Sequence, residues 1–456
     1  MDVSFDVANA RVVVIGAERS GGAAAELLVA RGARVTVMDT AEISPDRRHR
    51  LDALDVAVEI GPHDAARLAG ADLIVLSPGV SSAHPAVASA RAAGVPVIGE
   101  LELASRWVQG PIIAVTGTKG KSTTTTLLAR MLEAAGRTVT AGGNLGTPLS
   151  AQVEASTPDT VHVVEVSSFQ LETTETFHPW IAVLVNLSPD HLDRHVSFEE
   201  YAAAKARVFR RQQREDWAVV NADDPAALAA AEGGRARRFD FALDSQMTEG
   251  VAIEDGQIVE RRPDAVRVLL AVSDVRLPGR HLLSDVLAAA AVGCIAGVPA
   301  EAMRRAVASF AVLEHTLEPV VEIGGVRFVN DSKATNVESA RRAIESFESG
   351  VVAIMGGRYK GGRFEDLRDT VRGRVGAVIV IGEAGRLIET AIGDLVRVEP
   401  ADSMARAVRR AWDLAQPGGV VLLAPGCSSF DMFTDFAARG RAFKDEARRL
   451  AEHVGR

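Results

Sequence analysis

Short, unbroken apolar runs recur along this chain, and they constrain its fold more than any other feature. "RVVVIG" (11–16), "RVTVMDT" (34–40) and "DLIVLSPG" (72–79) come first. "PIIAVTG" (111–117), "VHVVEV" (161–166) and "IAVLVNL" (181–187) follow. "VRFVND", "GVVAIMGG", "GAVIVIG" and "GVVLLAPG" repeat the pattern between residues 326 and 426. A strand that is apolar at every position is buried on both faces, as in a parallel sheet covered by helices on either side. Helical stretches stand between the runs. "GGAAAELLVARG" is closed by Gly32, and "KSTTTTLLARMLEAAG" carries Leu127, Leu128, Met131 and Leu132 on one side. Residues 240–280 break the rhythm with short alternating runs such as "VRVLLAVSDVRL", which predict an antiparallel excursion.

At 456 residues the chain is too long for one ordinary domain, and about 150 residues per domain suggests roughly three. A net charge of -9 argues against general nucleic-acid binding, so any anionic ligand must be held by local groups. Cys294 and Cys427 cannot build a disulfide framework, which points to a reducing, cytoplasmic setting. "MDVSFDVANA" has neither the basic region nor the apolar core of a signal peptide. The longest apolar run, 286–300, is shorter than the roughly 20 residues a membrane span needs, so a buried helix is expected there.

The stretch "VTGTKGKSTTT" (115–125) joins an apolar strand to a helix through a glycine-rich turn. Two residues separate its glycines, whereas the common phosphate-binding loop has four. Backbone N–H groups at a helix N-terminus attract anions, and Gly117 and Gly120 allow the backbone to approach closely. Thr118, Lys119 and Thr123 complete the turn around them. Lys121 reaches outer phosphates, and the Ser122 hydroxyl suits Mg²⁺. Glu165 ends one later strand, and His191 and Asp193 follow another in "NLSPDHLDRH". Ligands of open α/β sheets gather at the carboxyl ends of strands, so these groups are candidates for a hard cation. The expected fold is α/β with three domains. An N-terminal Rossmann-like parallel sheet covers 1–98, and a central P-loop ATPase-like α/β domain with a small antiparallel sheet covers 99–312. A C-terminal Rossmann-like α/β domain covers 313–456.

The loop "GTKGKST" resembles that of the Mur ligase family, whose members use ATP to add amino acids to the peptidoglycan precursor. The resemblance extends over the whole chain. "DLIVLSPGVSSAHP", "GGNLGTP", "EVSSFQLE", "DHLDRH", "VNDSKATN" and "APGCSSFDMFTDFAARGRAF" are similar to segments of its D-glutamate-adding members. It implies that the γ-phosphoryl of ATP passes to the carboxylate of UDP-N-acetylmuramoyl-L-alanine, and that the glutamate amine then attacks the acyl phosphate. Lys121 and two Mg²⁺ ions would neutralise the reacting anions, with Ser122 and Glu165 holding one ion and His191 helping to hold the other. Lys205 matches the family lysine that becomes a carbamate ligand; by composition alone it reads as an ordinary exposed helix residue.

In the first domain Glu18 stands at the second glycine position of a dinucleotide fingerprint, so NAD is not expected. The resemblance instead assigns the UDP substrate to Gly16, Ser20, Asp39, Thr40, Ser77 and Gly79, with Asn144 and Ser167 also contacting it. Asp331 is assigned to the ATP ribose. Lys333, Thr335, Lys360, Ser429 and Phe436 are assigned to glutamate, and cations and hydroxyls are what a dicarboxylate requires. Phe436 reads equally well as core packing, and the residues suit either enantiomer of glutamate. A monomer is the family's usual state.

The chain departs from the family pattern at four places. Lys119 replaces an asparagine, Leu282 and Asp285 replace two amides, and Thr316 replaces an arginine expected near ATP. Loss of a charge-assisted phosphate contact weakens nucleotide binding by about 1.5–3 kcal/mol unless Arg280, Lys119 or Arg358 compensates. Two rivals share some of these features. A folylpolyglutamate-type or L-glutamate-adding ligase would have the loop and metal groups, but the Rossmann-like domain ahead of the loop favours a UDP-sugar. A non-catalytic nucleotide-binding protein would not need Lys121, Glu165, His191 and Lys205 together.

Overall fold

Valines 12 and 14 of the first apolar run face one hydrophobic core, and Val13 and Ile15 face another. That division is the reason the run is apolar throughout. The computed structural model describes residues 5–144, 146–192, 194–275, 279–310 and 313–454. Among them β1 (Arg11–Ile15), β2 (Arg34–Asp39), β3 (Ala57–Ile60), β4 (Leu73–Leu76) and β5 (Val97–Gly99) form a parallel sheet in the order β3-β2-β1-β4-β5.

A second parallel sheet contains β6 (Ile112–Thr116), β7 (Val139–Gly143), β8 (Val161–Glu165), β9 (Ile181–Leu184), β10 (Trp217–Val220) and β11 (Arg237–Arg238). Its order is β11-β10-β9-β6-β8-β7. Its helix Lys121–Ala134 buries Leu127, Leu128, Met131 and Leu132 completely, each worth about 2 kcal/mol against exposure. The helix ends where Gly136 turns to φ 79. There the N–H groups of Gly136 and Arg137 close on the Glu133 and Leu132 carbonyls, satisfying acceptors that a helix end leaves open. The helix Arg19–Ala30 ends the same way at Gly32, φ 81, as its sequence predicts.

A small third sheet has β12 (Asp240–Phe241), β13 (Gly250–Glu254), β14 (Gln257–Arg262) and β15 (Ala265–Ala271). Its last three strands are antiparallel, as expected for this stretch, while β12 pairs with β13 in parallel. The fourth sheet is built from β16 (Glu318–Ile323), β17 (Val326–Asn330), β18 (Val351–Gly356), β19 (Val375–Ile381), β20 (Arg397–Pro400) and β21 (Val420–Leu423). Its order is β16-β17-β21-β18-β19-β20, parallel except for the β16–β17 hairpin turned by Gly324 and Gly325.

The chain packs as two compact units. The first comprises Met1–Leu187, Ala202–Val272 and Asp285–Val307 and carries the first three sheets; the second comprises Ser188–Tyr201, Ser273–Ser284 and Ala308–Arg456 and carries the fourth. Among the described residues no helix is long and apolar enough to cross a membrane. Cys294 and Cys427 are free and buried.

Candidate active site

The phosphate-type loop follows β6. Gly117 lies at φ 146 and Gly120 at φ 83, conformations that L side chains rarely adopt. Gly120 caps the helix Lys121–Ala134 with backbone alone, without a side-chain cap hydrogen bond. Asn186, at the end of the run that forms β9, braces this loop. Its carbonyl accepts from Thr118 N–H at 3.0 Å, its side-chain oxygen accepts from Lys119 N–H at 2.9 Å, and its amide donates to the Lys119 carbonyl at 2.9 Å. These contacts at position 119 are all made by backbone, which explains how a lysine replaces asparagine there without disturbing the turn. Lys121 Nζ donates to the carbonyls of Gly117 and Thr118, both at 3.0 Å, so its ammonium sits on the loop.

Glu165, at the end of β8, is 3% exposed, far from the solvated state common for strand-end glutamates. Its Oε2 accepts from Ser122 Oγ at 2.6 Å and its Oε1 accepts from Asn144 Nδ2 at 2.7 Å. Thr123 is buried behind the loop in the first turn of the helix. Lys205 corrects the reading of an exposed lysine, since it is 2% exposed. It stands four residues after buried Tyr201 on the inward face of the helix Phe198–Ala206, where the i,i+4 repeat places both side chains.

A cleft of about 190 Å³ in the same unit is lined by Arg19, Ser20, Ser77, Gly79, Asn144 and Gln170, among others. Ser20, Ser77, Gly79 and Asn144 are thus brought together from two sheets. Gly16, at φ 91, lies against Ser77, and a Cβ there would come within 2.7 Å of the Ser77 Cβ. Asp39 serves the backbone: its Oδ2 accepts from Ala17 N–H at 2.8 Å and its Oδ1 from Ala41 N–H at 3.1 Å. Asp39 and exposed Thr40 are not among the residues lining the cleft. Ser167 is not either; it caps the helix Ser168–Leu171 through reciprocal bonds with Gln170, which does line it.

The remaining candidates lie in the second unit. His191, at φ 55, donates its backbone N–H to Asp190 Oδ1 at 2.9 Å. It lines a cleft of about 70 Å³ with Lys360, Asn336 and Arg341. Asp193 lies outside the described residues. Asp331, 8% exposed, accepts Leu317 N–H at 3.1 Å. Lys333 N–H bonds the His315 carbonyl at 3.1 Å, and Thr335 N–H bonds the Lys333 carbonyl at 2.9 Å. The Lys360 segment is tied to the Ser429 turn, because Arg358 and Ser428 exchange two backbone hydrogen bonds of 3.0 Å. Ser429 is 2% exposed, whereas Phe436 is 37% exposed and so is not core packing. Burial pushes the Cys427 thiol up to about 12, so it stays protonated and is no nucleophile.

Three family profiles match the chain in succession. "Mur ligase MurD-like, N-terminal domain" covers residues 10–99, "Mur ligase middle domain" 115–293 and "Mur ligase, glutamate ligase domain" 317–427. The UDP-N-acetylmuramoylalanine--D-glutamate ligase of Acidobacterium capsulatum is 46% identical over 97% of this chain and 96% of its own. The chain belongs to the Mur ligase family.

The UDP-N-acetylmuramoylalanine--D-glutamate ligase of Koribacter versatilis is 42% identical over 98% of this Mur ligase and 99% of its own chain. Among solved structures, the UDP-N-acetylmuramate-alanine ligase MurC of Thermotoga maritima has a TM-score of 0.61 at 18% identity, covering 97% of this chain and 100% of that one. At that identity the likeness concerns the fold alone. The structure of this Mur ligase also contains site groups that sequence reasoning missed. Asn186 carried a signal, as a polar residue ending an apolar strand. Gln170 carried one too, as the fourth residue of a local Ser-x-x-Gln capping box, whereas Arg19, whose Nη1 donates to the Gly146 carbonyl at 3.0 Å, carried none, because its partner is distant in sequence.

Proposed function

We propose that this Mur ligase joins D-glutamate to UDP-N-acetylmuramoyl-L-alanine while cleaving ATP to ADP and phosphate, in the cytoplasm, as a step of peptidoglycan precursor synthesis. One observation carries the reading. The Glu165 carboxylate bonds Ser122 of the phosphate loop on one side and Asn144 of the substrate cleft on the other. A single buried group thus links a nucleotide cradle to a second ligand's cleft, as phosphoryl transfer between two ligands requires. The curated relatives, at 46% and 42% identity, supply the substrate names. The succession of three profiles supports the division into 1–98, 99–312 and 313–456.

The donors suit the groups this chemistry needs. A serine hydroxyl and a carboxylate are hard oxygen ligands, appropriate for Mg²⁺. Ser122 and Glu165 would hold one ion. His191 and Lys205, the latter as its carbamate, would hold a second; burial as deep as that of Lys205 is rare for a lysine without a dedicated role. Magnesium, when bound, neutralises the charge between two anions that otherwise repel.

The chain's own residues do the rest. Gly117, Thr118 and Lys119 shape the loop, with the Thr118 and Lys119 N–H groups held by Asn186, while Gly120 to Thr123 present the helix N-terminus to the phosphates and Lys121 brings its ammonium to them. Ser20, Ser77, Gly79 and Asn144 hold the UDP substrate, with Gly16, Asp39, Thr40 and Ser167 shaping the loops beside them. Asp331 receives a ribose hydroxyl. Lys333, Thr335, Lys360, Ser429 and Phe436 hold glutamate. The γ-phosphoryl passes to the substrate carboxylate, the glutamate amine attacks the acyl carbon, and phosphate leaves. Release of ADP from ATP tests this with purified protein. ADP is expected only when UDP-N-acetylmuramoyl-L-alanine and D-glutamate are both present. Equal release with L-glutamate, or release without any glutamate, refutes the assignment.

A further inference from the structure

Arg439, in the helix Phe436–Val454 of the second unit, is 1% exposed. A buried guanidinium is costly unless its donors are satisfied and its charge is compensated. Its donors are satisfied. Nε bonds Ser332 Oγ at 3.0 Å, Nη2 bonds the Ser332 carbonyl at 2.9 Å, and Nη1 bonds the carbonyls of Cys427 at 3.1 Å and Ser428 at 3.2 Å. Its charge has no direct partner: among the described residues no carboxylate oxygen lies within ion-pair distance of it. Burial pulls its pKa down to about 10, which leaves it cationic at neutral pH.

These acceptors belong to two turns at the carboxyl ends of paired strands. Ser332 follows β17, and Cys427 and Ser428 follow β21, which runs parallel to it. The Ser428 carbonyl also accepts Arg358 N–H at 3.0 Å, and the Ser428 hydroxyl donates to the Arg358 carbonyl at 3.0 Å. One guanidinium therefore sets the spacing of the segments that carry Lys333, Ser429 and Lys360. It also polarises the peptide between Ser428 and Ser429. The trans peptide points the Ser429 N–H away from Arg439, and a cation on the carbonyl strengthens that donor.

We propose that Arg439 is a positioning residue for the amino-acid substrate, holding two turns directly, and a third through Ser428, at the spacing that admits a dicarboxylate, and lending the pocket the positive potential its anion needs. This rests on the reading of that pocket as the glutamate site.

Arg439→Lys keeps the charge and loses the bridge, and Ser332→Ala removes the hydroxyl that Nε bonds. The measurements are KM for D-glutamate, ATP and UDP-N-acetylmuramoyl-L-alanine by ADP release, together with thermal unfolding. Arg439→Lys is expected to raise the glutamate KM about ten- to a hundredfold and to leave the other two within about threefold. Ser332→Ala is expected to raise the same KM about three- to tenfold, and it carries the test if Arg439→Lys does not fold. An unchanged glutamate KM, or an equal rise in all three constants, overturns the proposal. Wild-type turnover that does not depend on D-glutamate instead refutes the assignment of the pocket.

Discussion

Asp285 brings a carboxylate to the phosphate loop: a Cβ built on Gly120 would lie 2.0 Å from its Oδ1. The sequence marks this residue only as an acid where the family has an amide. The fold adds that the acid is 2% exposed and lies against the loop, where a negative charge would oppose a nucleotide's phosphates. Asp285→Asn is therefore expected to tighten ADP binding about three- to tenfold in a calorimetric titration, and weaker binding would contradict this. Wild-type affinity in the ordinary micromolar range would remove the idea that the departures weaken the nucleotide site. Lys121 makes the opposite case. Its charge serves the loop, so Lys121→Ala should reduce ADP release by at least about a thousandfold. Binding of the UDP substrate to the cleft at Ser77 and Asn144 should persist, as measured by direct titration of the variant.

At the scale of the element, the short helix Glu100–Ser105 holds two buried acids with opposite behaviour. Glu102 accepts the N–H groups of Glu175, Thr176 and Phe177, the Thr176 hydroxyl and the Arg106 guanidinium. Burial pushes its pKa up, but the Thr176 hydroxyl and these other donors outweigh burial and hold it below the usual range. Its contribution to stability is complete above about pH 4.3 and is lost as pH falls through the lower folded value. Glu100 has one donor, Ser150 N–H at 2.8 Å, and its Oε2 has no partner among the described residues. Burial therefore raises its pKa. Its contribution is complete below about pH 4.3 and is lost as pH rises through the raised folded value. Glu102→Gln should cost on the order of 3 kcal/mol at pH 8, because it breaks a saturated buried network. Glu100→Gln should be neutral or stabilising at the same pH. Urea unfolding of both variants at pH 5 and pH 8 separates the two cases.

At the scale of the whole molecule, the net charge of -9 and an anionic substrate pair make local cations decisive. Chelation with EDTA is expected to abolish ADP release and added Mg²⁺ to restore it. Turnover that survives chelation would remove Ser122 and Glu165 from the role of metal ligands. Most of the strands recognised in sequence lie inside their sheets, such as β1, β6, β8 and β21, whose inward and outward positions are alike apolar, while the edge strand β15 was marked by its alternation. The edge strands β3, β7 and β20 escaped, because half-exposed strands carry residues such as Glu59, Thr140 and Glu399 and show no apolar run. Glycine spacing and strand ends likewise marked the loop and Glu165 as local chemistry, and resemblance assigned most other site residues.

By itself, then, the sequence determined the α/β layering, the place and character of the phosphate loop, and the family, since all three rest on short-range pattern. Only the tertiary structure decided that Asn186 braces the loop, that Asp285 abuts it, that Lys205 is buried and that Arg439 ties two turns together. Those contacts join residues far apart in the chain, and no local periodicity records which distant group a side chain will meet.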